Sequence, residues 1–268
     1  MGQAIAKRDK DLLGSCVFAA VRAHHLLRTR SYALQSLEWK EKSTSDFVSE
    51  ADHEAETAIR AILLDRYPDA TIVGEESSPD AAIGGAGLSF VVDPLDGTTN
   101  FLHGYQWYAV SIGALRDGAL VAGVVLNVVS RELFTATLGG GAQKNGEPIS
   151  VSTIADPRRS LIGTGFPFKH PHLVEPYMRQ LPRLLTTTAG VRRAGAAALD
   201  LTDVACGRFE GFWELMLAPW DVAAGILIVR EAGGTVTDLS GAASVVAHAP
   251  VVASNGALHP WLLSTLAG

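Results

Sequence analysis

Strand, turn and helix start meet in one stretch of this chain, Asp93-Pro94-Leu95-Asp96-Gly97-Thr98-Thr99-Asn100-Phe101. The run before it, Leu88-Ser89-Phe90-Val91-Val92, is apolar and β-rich, so Asp93 is predicted to end a strand. Pro94 biases Asp93 to stay extended. Asp96-Gly97-Thr98 then turns the chain into a helix start. Two carboxylates three residues apart across a Pro-bent turn can converge on one point, as hard divalent cations require. The N–H groups of Gly97 and Thr98 would face outward at that helix start, ready for a phosphate. For a bare Asp-x-x-Asp, a helix N-cap at Asp96 and a turn residue at Asp93 explain the same residues. The surrounding Pro, Gly, Thr, Thr and Asn favour the site.

Further acidic segments lie to either side. Gly74-Glu75-Glu76-Ser77 puts an acidic pair at a strand end, where a solvated turn is the plain alternative. In Trp220-Asp221, Asp221 opens an apolar helix from Val222, and a simple N-cap would account for it. Ser49-Glu50-Ala51-Asp52 has capping-box spacing, which gives Asp52 a structural role of its own. The eight histidines show no metal-motif spacing, so pairs such as His24-His25 and His170/His172 read as surface residues.

Outward from these segments, residues 12–27 and 55–67 carry helical apolar stripes, and Tyr67-Pro68-Asp69 stops the second. Strands are expected at 71–74, 88–92, 108–115, 119–129, 132–138, 209–213, 235–239 and 251–254, with Asn145-Gly146 as a hairpin turn. Helices are expected near 173–185, 196–206 and 222–232, the last capped by Gly233-Gly234, with a short one at the end. No repeat, linker or low-complexity tract divides the chain, so residues 1–268 are read as one domain of mixed α/β class. With 268 residues, 47% apolar and 19% charged, a disordered chain is excluded.

The 22 basic and 28 acidic residues sum to −6, which argues against direct nucleic-acid binding and suits a carboxylate-built cation site. Two cysteines, Cys16 and Cys206, are too few for a disulfide framework. The polar residues 1–10 hold no signal core, and Pro250, Asn255, Gly256, His259 and Pro260 interrupt the uncharged C-terminal stretch. The expectation is a cytoplasmic protein without a membrane segment.

These segments, in order and spacing, resemble the inositol monophosphatase family of magnesium-dependent, lithium-sensitive phosphatases, over about residues 46–256. Its two signatures match at 93–101 and at Trp220-Asp221-Val222-Ala223-Ala224-Gly225, the latter running into Glu231-Ala232-Gly233-Gly234. The flanks Asp46-Phe47-Val48-Ser49, Gly74-Glu75-Glu76-Ser77 and Val252-Ala253-Ser254-Asn255-Gly256 match too. Arg192-Arg193-Ala194-Gly195-Ala196-Ala197-Ala198-Leu199-Asp200 and Gly165-Phe166-Pro167-Phe168-Lys169 look most like its bacterial branch.

The resemblance implies a layered α/β/α/β/α sandwich, shared with fructose-1,6-bisphosphatase, and a homodimer. It implies two to three Mg²⁺ ions per site. Glu75, Asp93 and the carbonyl of Leu95 would hold the first, and Asp93, Asp96 and Asp221 the second. A weaker position would lie near Glu75. Thr98, oriented by Asp52, and Glu75 would place the attacking water, while Gly97 and Thr98 would offer N–H groups to the phosphate. Glu214, Asp96 and the backbone at Gly195 and Ala197 would read the alcohol of a small phosphorylated polyol.

Four departures touch pocket, packing or subunit contacts rather than metal ligands. Ala218 replaces a basic or histidine side chain, Gln106 a Pro, Glu210 an Asp, and Ala196 a Ser or Thr. The first expectation is hydrolysis of myo-inositol monophosphates. Histidinol phosphate, fructose 1,6-bisphosphate and 3′-phosphoadenosine phosphates are rival esters. A role of another class is association with the RNA polymerase machinery, as in one bacterial member of the family.

Overall fold

Helices that are apolar on one stripe cover a sheet from outside, whereas helices apolar all round must be enclosed. Both kinds occur here. The computed structural model describes residues 2–36, 39–43, 46–243 and 246–267, with the side chains at 2–8, 10, 36, 42–43 and 46–47 outside that description. Most side chains of the polar stretch 1–10, and those of Asp46 and Phe47 in the family flank, therefore lie outside the described residues.

The chain opens with α1 (Gly2–Ser31), the short pair β1 (Trp39–Ser43) and β2 (Asp46–Ser49), and α2 (Glu50–Arg66). Next come β3 (Thr71–Gly74), β4 (Leu88–Asp96), α3 (Thr98–Leu102), β5 (Ala109–Arg116) and β6 (Ala119–Asn127). A meander of β7 (Leu133–Thr137), β8 (Gly141–Lys144) and β9 (Glu147–Ile149) follows. The C-terminal half holds β10 (Leu161–Thr164), α4 (Val174–Thr187), β11 (Gly190–Arg192), α5 (Ala197–Ala205) and β12 (Gly211–Leu217). It ends with α6 (Pro219–Glu231), β13 (Thr235–Thr237), β14 (Ala249–Ser254) and α7 (His259–Ala267).

Strands β3 to β9 form a seven-stranded sheet in sequence order, antiparallel except for the β3–β4 pair. A five-stranded sheet runs β11-β10-β12-β14-β13, with its first three strands parallel. Helices α1 and α2 bury Leu12, Cys16, Ala19, Ala23, Leu27, Ile59 and Leu63 against one face of the larger sheet. Every residue of α5 is buried, and α6 is buried from Pro219 through Val229 except at Asp221, because both lie between the sheets. Helices α4 and α7 cover the outer face of the smaller sheet over Ile162, Trp213 and Val252. The layering is α/β/α/β/α, as the resemblance implied.

Several sequence expectations shift. The first helix begins and ends outside 12–27. The strand expected at 209–213 is β12, starting at Gly211, because 207–209 close the turn after α5. Helix α6 begins at Pro219 rather than Val222, with Pro occupying the first position where no N–H is needed. Strands β10 and β11 lack a local signal: each is short and is held by partners far away in sequence. His24 is not a surface residue. It is buried in α1, and burial lowers its imidazole to about 4. The Asn145-Gly146 turn is as expected, with both residues at positive φ between β8 and β9.

Candidate active site

Side chains alternate across a strand, so residues three apart normally face opposite ways. Asp93 and Asp96 avoid this. The strand does not end at Asp93 but continues to Asp96, and Asp93 pairs with Ser111 while Asp96 pairs with Ala109. Three steps on β4 thus oppose two on β5. This is a bulge, and it sits at Pro94, which has no N–H to lose from the ladder. The extra residue returns Asp96 to the face of Asp93. The Leu95 N–H donates to Asp93 Oδ1 at 2.9 Å. Gly97 then enters α3 at φ +91°, where an added Cβ would lie 3.1 Å from the Trp107 carbonyl oxygen.

Asp52 and Asp221 are delivered by helix starts, and Asp96 is held by one. Asp52 closes a capping box on α2, accepting from the Ser49 N–H at 2.9 Å and the Ser49 hydroxyl at 2.7 Å. Its other oxygen accepts from the Thr98 hydroxyl at 2.9 Å, a hydroxyl that also lies 3.0 Å from the Leu95 carbonyl. Asp221 accepts from the Ala218 N–H at 2.7 Å at the start of α6. Asp96 accepts from the Ala197 and Ala198 N–H groups at 3.2 and 2.8 Å, at the start of α5. The capping role and the site role, alternatives in the sequence, are one arrangement: the helix N-terminus holds an acid where anions cluster.

Glu75 follows β3, its N–H donating to the Val92 carbonyl at 3.3 Å. Its turn is fixed by Glu56, which sequence reasoning missed. This carboxylate is 1% exposed and accepts from the Glu76 and Ser77 N–H groups at 2.8 and 3.0 Å, and from the Ser77 hydroxyl. One helical turn separates Asp52 from Glu56 on α2, and this i, i+4 spacing across two buried acids was the signal available.

Carboxylate oxygens of Asp93, Asp96 and Asp221 lie within 4.8 Å of one another. Burial, then the charges of Glu75, Asp96 and Asp221, pushes Asp93 well above the usual carboxylate range. Burial and Asp221 raise Asp96 to about 8, against the pull of the Ala198 N–H. Every charge named around Asp93 is negative and every donor is oxygen, with the Leu95 carbonyl beside them. Such a set fits hard divalent cations such as Mg²⁺.

A cavity of about 380 Å³ opens on this cluster, lined by Glu75, Asp93, Leu95, Asp96, Gly97, Thr98, Gly195, Ala197, Glu214 and Asp221. All the sequence-predicted site residues reach it except Asp52, which stands behind Thr98. Asn100 holds the far wall to α3, its amide donating to Trp107 O at 2.7 Å and Ala194 O at 2.9 Å. Glu214, from β12, is raised to about 8 by burial and then by Asp221. Asp200 also lines the cavity, and Arg193 stands 5.4 and 5.1 Å from the rings of Phe166 and Phe168 at its rim. Nothing local in the sequence marks these residues for a part in the site.

Of the four departures, Ala196 and Ala218 occupy the N-cap positions of α5 and α6, where Asp96 and Asp221 supply the caps instead. Glu210 is buried and accepts from the Leu161 N–H at 2.7 Å, tying β12 to β10. Gln106 is exposed.

A pH dependence follows from the raised acids. Asp96 and Glu214 bind protons in the folded chain up to about pH 8, whereas an unfolded chain releases them near pH 4. The folded state therefore holds the extra protons in that window, and stability of the metal-free protein falls as pH rises through it. Thermal unfolding in EDTA at pH 5, 6.5 and 8 should show a declining midpoint. Saturating Mg²⁺ should flatten most of that decline.

The model of the inositol monophosphatase family matches residues 11–267. The chain belongs to this family. Among its relatives, "Nus factor SuhB" of Pseudomonas aeruginosa is 42% identical over 258 residues, 95% of each chain. "Inositol-1-monophosphatase" of Rhizobium meliloti is 41% identical over 244 residues, 91% of each chain. The crystal structure of the extragenic suppressor protein suhB from Bartonella henselae superposes with a TM-score of 0.89 at 40% identity, covering 96% of this chain and 98% of that one. The two segments that carry the sequence resemblance thus both reach the cavity, one at the β4 bulge and one through Asp221 at the start of α6. No described helix is long and apolar enough to cross a membrane.

Proposed function

We propose that this chain is a Mg²⁺-dependent phosphomonoesterase that hydrolyses myo-inositol monophosphates, with residues 1–268 acting as one catalytic unit. The observation that carries this reading is the convergence of Asp93, Asp96 and Asp221 within 4.8 Å in a cavity that Glu214 also lines. Glu75, Asp93 and the Leu95 carbonyl would hold one cation, and Asp93, Asp96 and Asp221 a second, with a weaker position near Glu75. When bound, Mg²⁺ supplies Lewis acidity, neutralising phosphate charge and making a bound water acidic.

The chain's own groups do the rest. With its hydroxyl hydrogen directed to Asp52, Thr98 turns a lone pair toward the cavity and orients the attacking water together with Glu75. The Gly97 and Thr98 N–H groups at the start of α3 steady the phosphate. Asp96, fixed by two α5 N–H groups, and Glu214 meet hydroxyls of the alcohol beside the Gly195–Ala197 backbone. No covalent intermediate on a side chain is needed.

Phosphate release with and without Mg²⁺ tests this, comparing kcat/KM for inositol 1-phosphate, histidinol phosphate, fructose 1,6-bisphosphate and 3′-phosphoadenosine 5′-phosphate. A Mg²⁺-dependent lead for inositol 1-phosphate is expected. A lead for histidinol phosphate would keep the chemistry and replace the substrate. The same reading carries a lithium-sensitive homodimer, checked by inhibition and by light scattering.

Gly165 gives a second check. A Cβ there would fall 2.0 Å from Glu214 Oε2, and the carboxylate, at the end of a flexible chain, would have to swing away. Gly165→Ala should therefore cut kcat/KM for inositol 1-phosphate by ~10-fold or more through loss of one polar contact to the alcohol. Hydrolysis of p-nitrophenyl phosphate should change little, and so should thermal stability.

A second reading is association with the transcription machinery, favoured by relatives named Nus factor SuhB at 40–42% identity. Growth of a deletion strain carrying Asp93→Asn separates the two. Full rescue without hydrolysis would make association the main role.

A further inference from the structure

Arg193 follows β11 at the rim of the cavity, where it is exposed and is one of the lining residues. An exposed arginine ordinarily extends its charged head into water. This one is held against the wall. Its guanidinium carbon stands 5.4 Å from the centroid of the Phe166 ring and 5.1 Å from that of Phe168. Those two rings meet edge to face at 5.7 Å, and Phe166 meets Tyr177 in the same way at 5.6 Å. Both phenylalanines line the same cavity. Arg193 Nη1 also lies close against Gly195, another lining residue, where an added Cβ would fall 2.5 Å from it. Two rings and a glycine thus fix the guanidinium without using its N–H groups. Among the described residues Arg193 has neither a hydrogen bond nor an ion pair.

A guanidinium positioned by aromatic rings, with its donors unspent, is a preformed fork for a carboxylate or a phosphate. We propose, building on the phosphatase reading above, that Arg193 determines specificity by receiving a second anionic group of the substrate, carried on the alcohol away from the scissile phosphate. The substrate class is therefore widened to sugar-acid phosphates and sugar bisphosphates. The charge layout agrees. Glu75, Asp93, Asp96 and Asp221 gather where cations would bind, whereas Arg193, Lys169 and His170 bring basic groups to the same cavity. Glu214 lies within range of both sets: beyond the effect of burial, Asp221 pushes its carboxyl up while Arg193 and Lys169 pull it down. One cavity of about 380 Å³ holds all of these groups, so a single molecule can meet the acids and the guanidinium together. An ester without a second anion, such as inositol 1-phosphate, leaves Arg193 to water, so its hydrolysis does not depend on this contact.

The test uses the full chain with Mg²⁺ and initial rates on two matched pairs of esters. Gluconate 6-phosphate differs from sorbitol 6-phosphate only in a terminal carboxylate, and fructose 1,6-bisphosphate differs from fructose 1-phosphate only in the second phosphate. Wild type should favour the doubly anionic member by ~10-fold or more in kcat/KM in at least one pair, and the pair that leads identifies the group received. The preference should shrink as salt is raised, because the contact is exposed. Arg193→Ala should erase it while leaving the singly anionic esters and inositol 1-phosphate within about 2-fold. Arg193→Lys keeps a cation over the rings but lacks the fork, so it should fold like wild type and lose part of the preference. No preference in either pair, a preference untouched by both substitutions, or equal loss on every ester would overturn the proposal. Wild type inactive on all the esters, inositol 1-phosphate included, would instead overturn the phosphatase reading.

Discussion

Asp93→Asn should lower kcat/KM for inositol 1-phosphate by roughly 10³-fold or more, the scale of losing a central charge-stabilising group. It should do so without unfolding the protein. Asp93 is 2% exposed, and every charged neighbour named around it is negative. The amide keeps the oxygen that receives the Leu95 N–H, while one of the mutually repelling charges disappears. In EDTA the variant should therefore melt no lower than wild type, and at pH 8 somewhat higher. Wild type should gain stability on titration with Mg²⁺, because a ligand that binds only the folded state raises its midpoint. The variant should lose most of that gain. A variant with wild-type Mg²⁺ stabilisation would show that the cations bind elsewhere, and one that simply unfolds would show that Asp93 is structural.

Gly113→Val should be among the most destabilising substitutions in the chain. Gly113 on β5 pairs with Gly123 on β6, and α6 lies directly over both. A Cβ on Gly113 would fall 2.6 Å from the Ala223 Cβ, and one on Gly123 would fall 2.9 Å from the Ala224 carbonyl oxygen. Neither obstacle can rotate away, so the helix itself must move. On its other side α6 has little room: a Cβ on Gly225 would meet Leu201 of α5 at 2.5 Å. Overpacking of this kind costs about 1–3 kcal/mol for a single methyl, and more for a branched side chain. At roughly 2–4 °C per kcal/mol for a chain of this size, Gly113→Ala should lower the melting midpoint by several degrees, and Gly113→Val by more. Asp221 lies two residues before Ala223, so the shift should also weaken Mg²⁺ stabilisation in whatever protein still folds. Unchanged midpoints would mean that the helix sits farther from the sheet than these contacts require.

Much of the site was legible before any tertiary structure. The Asp93–Phe101 stretch, Gly74-Glu75, Trp220-Asp221 and the capping box at Ser49–Asp52 all stand out locally, and each lies at the cavity or directly behind it. Local signals suffice there because caps, turns and strand ends are set by residues within a few positions of one another. The α6 helix announced its enclosure through a nearly all-apolar run, whereas α5, with Asp200, Thr202 and Asp203 in its sequence, did not. By contrast, Glu56 looked like one more charge on a helix, and Asp200 like an ordinary member of a motif. What distinguishes them is what they touch or fail to touch: the Ser77 turn for Glu56, and nothing among the described residues for Asp200 Oδ1.

The amino-acid order by itself determined most of the secondary elements, the family and the identity of the acids, since propensity, capping and motif spacing act over short range. Only the tertiary structure decided that those acids meet. Asp96 reaches the Ala198 N–H across 102 positions, and Thr98 reaches Asp52 across 46. Those meetings depend on sheet order, on the extra residue at Pro94 and on two helices clamped between sheets. They are fixed by the simultaneous packing of all layers, and no short window of sequence contains that information.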